Sequence, residues 1–236
     1  GTTFSLVSYV NPQGVPALFN DYHNANEFRT PSVVHIGDEG CLVGQALEEL
    51  LEDEPAISQA RFVKLAMGKG VPVYNDYLGR QWLPESLSAL ILKKLMRDVE
   101  AFLHEEIDGV VIAVPANFND TQRKATKHAA ILAGLPSPTL IEEPIAAATY
   151  YGFADKSGEQ TLFVYDLGGG TFDATVLQSS PDGLYALATE GTNEIGGKGI
   201  DELIMAQVAQ EYQRTHGEDP LQDPVAVSQL RRFATE

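Results

Sequence analysis

Residues 164 to 177 read V-Y-D-L-G-G-G-T-F-D-A-T-V-L: three consecutive glycines and a threonine between two strand-like runs, with an aspartate on each side. Glycine is costly to order, so three in a row require a backbone reason. The runs Thr161 to Leu167 and Phe172 to Gln178 have strand composition, which makes Gly168, Gly169, Gly170 and Thr171 a tight hairpin connection. With positive φ permitted and no Cβ in the way, successive N–H groups of such a turn can converge on one anion, a phosphate above all. The Thr171 hydroxyl can reach a terminal phosphate oxygen. Asp166, at the end of its strand, can hold a divalent cation directly or through water, because magnesium favours carboxylate oxygen and keeps much of its hydration. Asp173 can do likewise or brace the turn. A second glycine turn, Gly191 to Gly199, precedes a helix whose N-terminal amides offer another anion site. No G-x-x-x-x-G-K-[ST] spacing occurs, so this is not a Walker A loop.

Composition narrows the alternatives. The 236 residues carry a formal net charge of −17, which repels DNA, RNA and anionic lipid. Magnesium resolves the resulting paradox, since a hydrated cation held by acids lets an acidic protein grip a polyanion. No apolar run approaches the ~18 residues of a membrane span, and the most apolar helical stretch, Leu87 to Leu95, is interrupted by Lys93 and Lys94. A single cysteine, Cys41, fits a reducing compartment, and the chain reads as cytoplasmic. The five histidines show no zinc spacing, and no G-x-S-x-G run or cysteine beside a base supports covalent hydrolysis.

Strand-like runs also occur at Ser5 to Tyr9, Ser32 to Ile36, Gly109 to Val114, Thr139 to Glu142 and Leu184 to Thr189. Between them, Leu87, Ile91, Leu95 and Val99 form a helical stripe. Asn119 and Gln122 stand at capping-box spacing ahead of a second helix, which Gly134 and Pro136 stop. Further helices are predicted from Pro144 to Tyr151 and from Ile200 to about residue 213. The alternation argues an α/β fold with a mixed sheet. The polar stretch from Ala154 to Gln160 is the best linker, and across it runs a faint repeat: G-T-T-F at residue 1 echoes G-G-T-F at residue 169.

The runs V-V-I-A-V-P-A-N-F-N-D-T-Q-R-K-A-T-K-H (110–128), L-I-E-E-P-I-A-A-A-T-Y-Y-G (140–152) and Y-D-L-G-G-G-T-F-D (165–173) resemble the nucleotide-binding domain of the seventy-kilodalton heat-shock (Hsp70, DnaK-like) chaperones. The resemblance extends from Gly1 to the last residues. It implies an actin/hexokinase-like (ribonuclease H-like) ATPase fold, with ATP or ADP and Mg2+ bound between two lobes. Lobe I would occupy residues 1–156, with a smaller subdomain inserted at about 28–86, and the first part of lobe II residues 157–236. It also implies a fragment truncated at both ends and nearly inactive alone. By position, Gly1, Thr2 and Thr3 resemble the first phosphate loop, Gly168 to Thr171 the second, and Gly196 with Gly197 a phosphate-side turn of lobe II. Lys64 resembles the lysine that contacts the γ-phosphate and attacking water, Glu143 and Asp166 the magnesium-shell carboxylates, and Pro115 with Arg123 the pair that couples nucleotide state to lobe motion.

Three departures stand out against that family. Phe4 replaces an expected asparagine, Lys198 an expected acid, and the stretch from Gly70 to Leu83 is shorter than usual, implying a trimmed subdomain. The resemblance implies an intact protein that hydrolyses ATP to control peptide binding by a separate domain. Its partners would be client peptides, a J-domain co-chaperone and a nucleotide exchange factor, with no nucleic acid or membrane partner. An actin-like filament ATPase and a non-catalytic regulatory member of the same fold are the alternative readings.

Overall fold

The computed structural model describes residues 1–24, 26–104, 106–152 and 158–235. From the N-terminus the chain runs through β1 (Phe4–Ser5), β2 (Ser8–Val10), β3 (Pro16–Leu18), β4 (Thr30–Pro31), β5 (Val34–Gly37) and β6 (Gly40–Val43) into helix α1 (Gln45–Asp53). A 3-10 turn over Val63–Ala66, then β7 (Tyr74–Asn75) and β8 (Gln81–Trp82), lead to the long helix α2 (Pro84–Leu103). Next come β9 (Val111–Val114), α3 (Asp120–Leu132), β10 (Thr139–Glu142) and α4 (Glu143–Tyr150). The remainder is a hairpin meander, β11 (Gln160–Leu167), β12 (Phe172–Ser180) and β13 (Gly183–Thr192), followed by α5 (Gly197–His216) and α6 (Pro224–Thr235).

Helix α2 organises the first 152 residues. Pro84 occupies its first turn, where a missing N–H costs nothing, and His104 ends it in the left-handed region at φ 55°. Leu87, Ile91 and Leu95, one turn apart, bury their side chains with Val34, Ile36, Val63 and Tyr74, each contributing about 2 kcal/mol of apolar burial. Helix α3 packs on α2 through Ala125 and Ala129, small residues that admit Met67 and Leu92 between the helices. Its capping box is complete: the Asn119 side chain accepts from the Gln122 amide at 3.0 Å, and the Gln122 side chain accepts from the Asn119 amide at 3.0 Å.

Strands β9 and β10 pair in parallel, with α3 as their crossover. Their carboxyl ends deliver Pro115 and the Glu142–Glu143 step to one edge, the end of a parallel pair at which α/β proteins place ligands. In the meander, β11 and β12 pair antiparallel with Asp166 opposite Asp173, so two acidic side chains stand side by side at the mouth of the glycine loop.

Several expectations are revised. Among the described residues no single sheet mixes parallel and antiparallel strands; the α/β fold consists of small separate sheets. The run Ser5 to Tyr9 divides into β1 and β2 because the two halves choose different partners, β4 and β3. Pro144 is the second residue of α4, so Glu143 opens that helix and its carboxylate lies at the positive end of the helix dipole. The boundary at 156/157 lies outside the described residues, and Gln160, assigned to the linker, already belongs to β11.

Candidate functional site

An open cleft of about 480 Å³ brings together Gly1, Thr2, Thr3, Lys64, Glu143, Asp166, Gly168, Gly169, Thr171 and Gly197. Ten of the sequence-predicted site residues therefore share one concavity although they span nearly two hundred positions. Two are adjacent to it: Gly170 is buried behind the loop against Thr2 and Leu65, and Gly196 is buried against Gly170. Asp173 is 2% exposed and stands beneath the floor, beside Asp166.

The glycine loop closes as a four-residue hairpin, with the Gly168 amide donating to the Thr171 carbonyl at 2.9 Å. None of its three glycines adopts a positive φ. Close approach, rather than left-handed backbone, is what excludes a side chain. A Cβ on Gly169 would collide with the Thr3 hydroxyl, and one on Gly170 would lie 2.5 Å from Thr2 Cγ2 and 2.9 Å from Leu65 Cδ2. The two echoed sequences, G-T-T-F and G-G-T-F, thus meet face to face. The amides of Gly169, Gly170 and Thr171 make no backbone hydrogen bond to a described residue.

The second glycine turn behaves differently from the sequence expectation of a free anion site. The amides of Gly197 and Lys198 donate to the carbonyls of Gly168 and Gly169 at 3.0 and 2.7 Å, and those of Gly199 and Ile200 return to the Gly196 carbonyl. The helix N-terminus is spent on buttressing the first loop. A Cβ at Gly196 would sit 2.6 Å from the Gly170 backbone, which makes Gly196 the close-packed support of that loop.

Lys64 lies in the 3-10 turn behind Phe62, which holds a left-handed φ of 56°. Its Nζ donates to Glu143 Oε1 at 2.7 Å and lies 5.9 Å from the Phe118 ring. Cation and carboxylate, 79 residues apart in sequence, form the side wall facing the loop. Burial and the neighbouring Glu143 charge push the Asp166 carboxyl up, with Lys64 opposing. Burial and the charges of Glu143 and Asp166 push Asp173 further, to about 6. One Asp173 oxygen, Oδ1, is buried without a hydrogen-bond partner.

This donor set suits a hydrated magnesium ion. Three carboxylates surround a single lysine, one carries an orphaned oxygen, and oxygen ligands are what that ion prefers. Among the described residues no three His, Cys, Asp or Glu side chains converge closely enough to hold a metal ion directly.

Arg123 does more than sit on a helix face. Its guanidinium donates to the Phe118 carbonyl at 2.9 Å, the Ala116 carbonyl at 3.0 Å and Glu142 Oε1 at 2.9 Å. It clamps the buried Pro115 turn to the residue preceding Glu143. Glu142, which the sequence marks only as the end of a strand-like run, is half-buried in that clamp. Lys198, the residue found where an acid was expected, pairs with Glu202 at 2.8 Å and lies 5.5 Å from the Phe62 ring. Phe4, in place of the expected asparagine, lines the cleft with Arg29 stacked 5.0 Å from its ring.

The model of the Hsp70 protein family matches residues 48–236. The chain belongs to the Hsp70 family. It is similar over 99% of its length to the chaperone protein DnaK of Thermotoga neapolitana, at 41% identity, and to those of Thermosipho africanus and Thermotoga petrophila, at 38% and 40%. It spans about two-fifths of the length of these curated relatives, 38–39%. The alignment to the Thermotoga neapolitana protein covers 239 residues against the chain's own 236, so there is no room for a large deletion between Gly70 and Leu83 relative to that Hsp70 protein. The segment is therefore not trimmed relative to that protein; β7 and β8 fill it as a hairpin. Among the described residues no helix is long and apolar enough to cross a membrane.

Proposed function

We propose that this chain is the nucleotide-binding part of an ATP-driven chaperone, with residues 1–156 forming lobe I and residues 157–236 the start of lobe II of an actin/hexokinase-like fold. The observation that carries this reading is the convergence of the Lys64–Glu143 ion pair on the Gly168–Thr171 loop within one cleft. The amides of Gly169, Gly170 and Thr171 donate to the phosphates of ATP, and the facing Gly1–Thr3 segment, with Gly196 and Gly197 behind, closes the cradle. Asp166 and Glu143, with Asp173 beneath them, would hold magnesium, which would supply neutralisation of phosphate charge.

Lys64 is the movable donor of the site. Released from Glu143, its ammonium donates to a γ-phosphate oxygen and orients the attacking water, while the Thr171 hydroxyl steadies a second oxygen. Glu143 receives the lysine again when phosphate leaves. Arg123, which ties the Pro115 turn to Glu142, carries any shift at Glu143 into α3, the route by which nucleotide state reaches the rest of lobe I. In the parent protein this switch governs peptide affinity in a separate domain, in a cytoplasmic setting, with a J-domain co-chaperone and a nucleotide exchange factor as partners.

Single-turnover hydrolysis by the full-length protein tests the assignment. Lys64→Ala is expected to bind magnesium-ATP and lose about 100-fold or more in the hydrolysis rate constant. An unchanged rate removes Lys64 from the chemistry.

A further inference from the structure

Beneath the cleft, two polar side chains from distant parts of the chain meet without satisfying each other. Asp173 is buried on β12, and its Oδ1 has no hydrogen-bond partner. Asn117 lies in the turn between β9 and α3, and its Oδ1 is likewise buried and unpartnered. Both converge on Gly191 of β13, the register partner of Asp173. A Cβ there would collide with Asp173 Oδ1, and it would lie 2.8 Å from Asn117 Nδ2 and 2.5 Å from the Phe172 carbonyl oxygen. The missing side chain at Gly191 is what lets the amide and the carboxylate approach.

The Asn117 atom nearest Gly191 is the nitrogen Nδ2, a donor, and the Asp173 atom nearest the same point is the unpaired acceptor Oδ1. Asn117 is also held firmly from behind, because Arg123 donates to the carbonyls of both its neighbours, Ala116 and Phe118. A buried carboxylate oxygen left unpaired is costly, and a hydrogen bond to a charged group recovers more than a neutral one.

We propose that Asn117 is a positioning residue for Asp173: its Nδ2 closes the short remaining gap and donates to Asp173 Oδ1 in the ligand-free protein, locking the β9–α3 turn to the β12–β13 hairpin. Asn117 does not line the cleft. It fixes the carboxylate beside Asp166 and joins the Arg123 clamp to the glycine loop's own sheet. The contact rests on geometry alone; its consequence for turnover rests on the nucleotide reading above.

The test is a double-mutant cycle in the full-length protein, read first without nucleotide or magnesium by thermal unfolding. Asn117→Asp sets two carboxylates against each other and is expected to lower the midpoint by about 3 °C more than Asn117→Ala. Combining Asn117→Asp with Asp173→Asn reverses donor and acceptor and is expected to recover most of that loss. If Asn117→Asp is no worse than Asn117→Ala, or if the double exchange recovers nothing, the contact does not exist and the proposal is overturned.

The second reading is kinetic. Asn117→Ala is expected to slow single-turnover hydrolysis about tenfold while changing ATP affinity less than twofold, the pattern of a group that acts on the transition state through another residue. Equal losses in affinity and rate, or no loss in either, overturn the positioning role. Failure of the wild-type protein to bind magnesium-ATP would instead sink the nucleotide reading, and the thermal cycle would still decide the contact.

Discussion

The first 152 residues and the last 78 described ones are built on different economies. Among the described residues, the first region carries the three buried apolar clusters, centred on Leu87, Leu47 and Met67, and projects a few long side chains from them. The second is a three-stranded meander and two helices whose buried large apolar residues reduce to Leu177 and Met205, while Phe163, Tyr165, Leu167, Tyr185, Leu187 and Leu203 stand exposed. To the cleft the first region contributes Lys64 and Glu143, and the second contributes backbone and the acid Asp166, with Asp173 buried beneath it. An ion pair between distant segments needs firm supports, whereas a glycine hairpin needs only a strand register and a close-packed neighbour such as Gly196.

The contrast can be broken by stability measurements. The largest effect is expected at Leu87, fully buried in the main cluster beside Trp82. Leu87→Ala should cost about 3 kcal/mol in equilibrium urea denaturation followed by Trp82 fluorescence. A loss below about 1 kcal/mol would mean that the first region is not the stable half.

An intermediate effect is expected from pH. The Asp173 carboxyl titrates near 6 in the folded chain, against an ordinary value of 3.8. Between those values the native state holds a proton that the unfolded chain releases, so this group's contribution to stability rises as pH falls. The penalty of its buried charge is fully present above pH 6. In magnesium-free buffer, wild type should therefore melt below Asp173→Asn at pH 7.5, and the gap should narrow by roughly half at pH 5. A gap that does not change with pH would place Asp173 in a solvated site. The smallest effect belongs to Phe163, 66% exposed on the outer face of β11. Phe163→Ser should change stability by no more than about 0.5 kcal/mol, and a larger loss in the same denaturation assay would show that this face is already packed.

Much of the site was legible from local chemistry. The glycine hairpin, the flanking aspartates and the capping box depend on near neighbours, and each lies where its pattern places it. Lys64 and Glu143 came from resemblance; only the three-dimensional contact joins them. Helix α1 escaped because its buried apolar residues, Leu47 and Leu51, span little more than one turn amid acids. Glu142 and Asn117 escaped for a stronger reason: an ordinary polar residue acquires its role from a partner brought by the fold, Arg123 in one case and Asp173 in the other. The free helix terminus at Gly197 failed for the same cause, since the carbonyls that occupy it lie in a loop nearly thirty residues upstream.

Calorimetric titration of magnesium-ATP into the full-length protein, comparing wild type with Gly196→Val, bears most directly on the claim that the buttressed glycine loop grips phosphate. The added side chain must displace the Gly170 backbone, and affinity is expected to fall about 100-fold, on the order of 3 kcal/mol. Binding by Gly196→Val as tight as wild type would contradict the account.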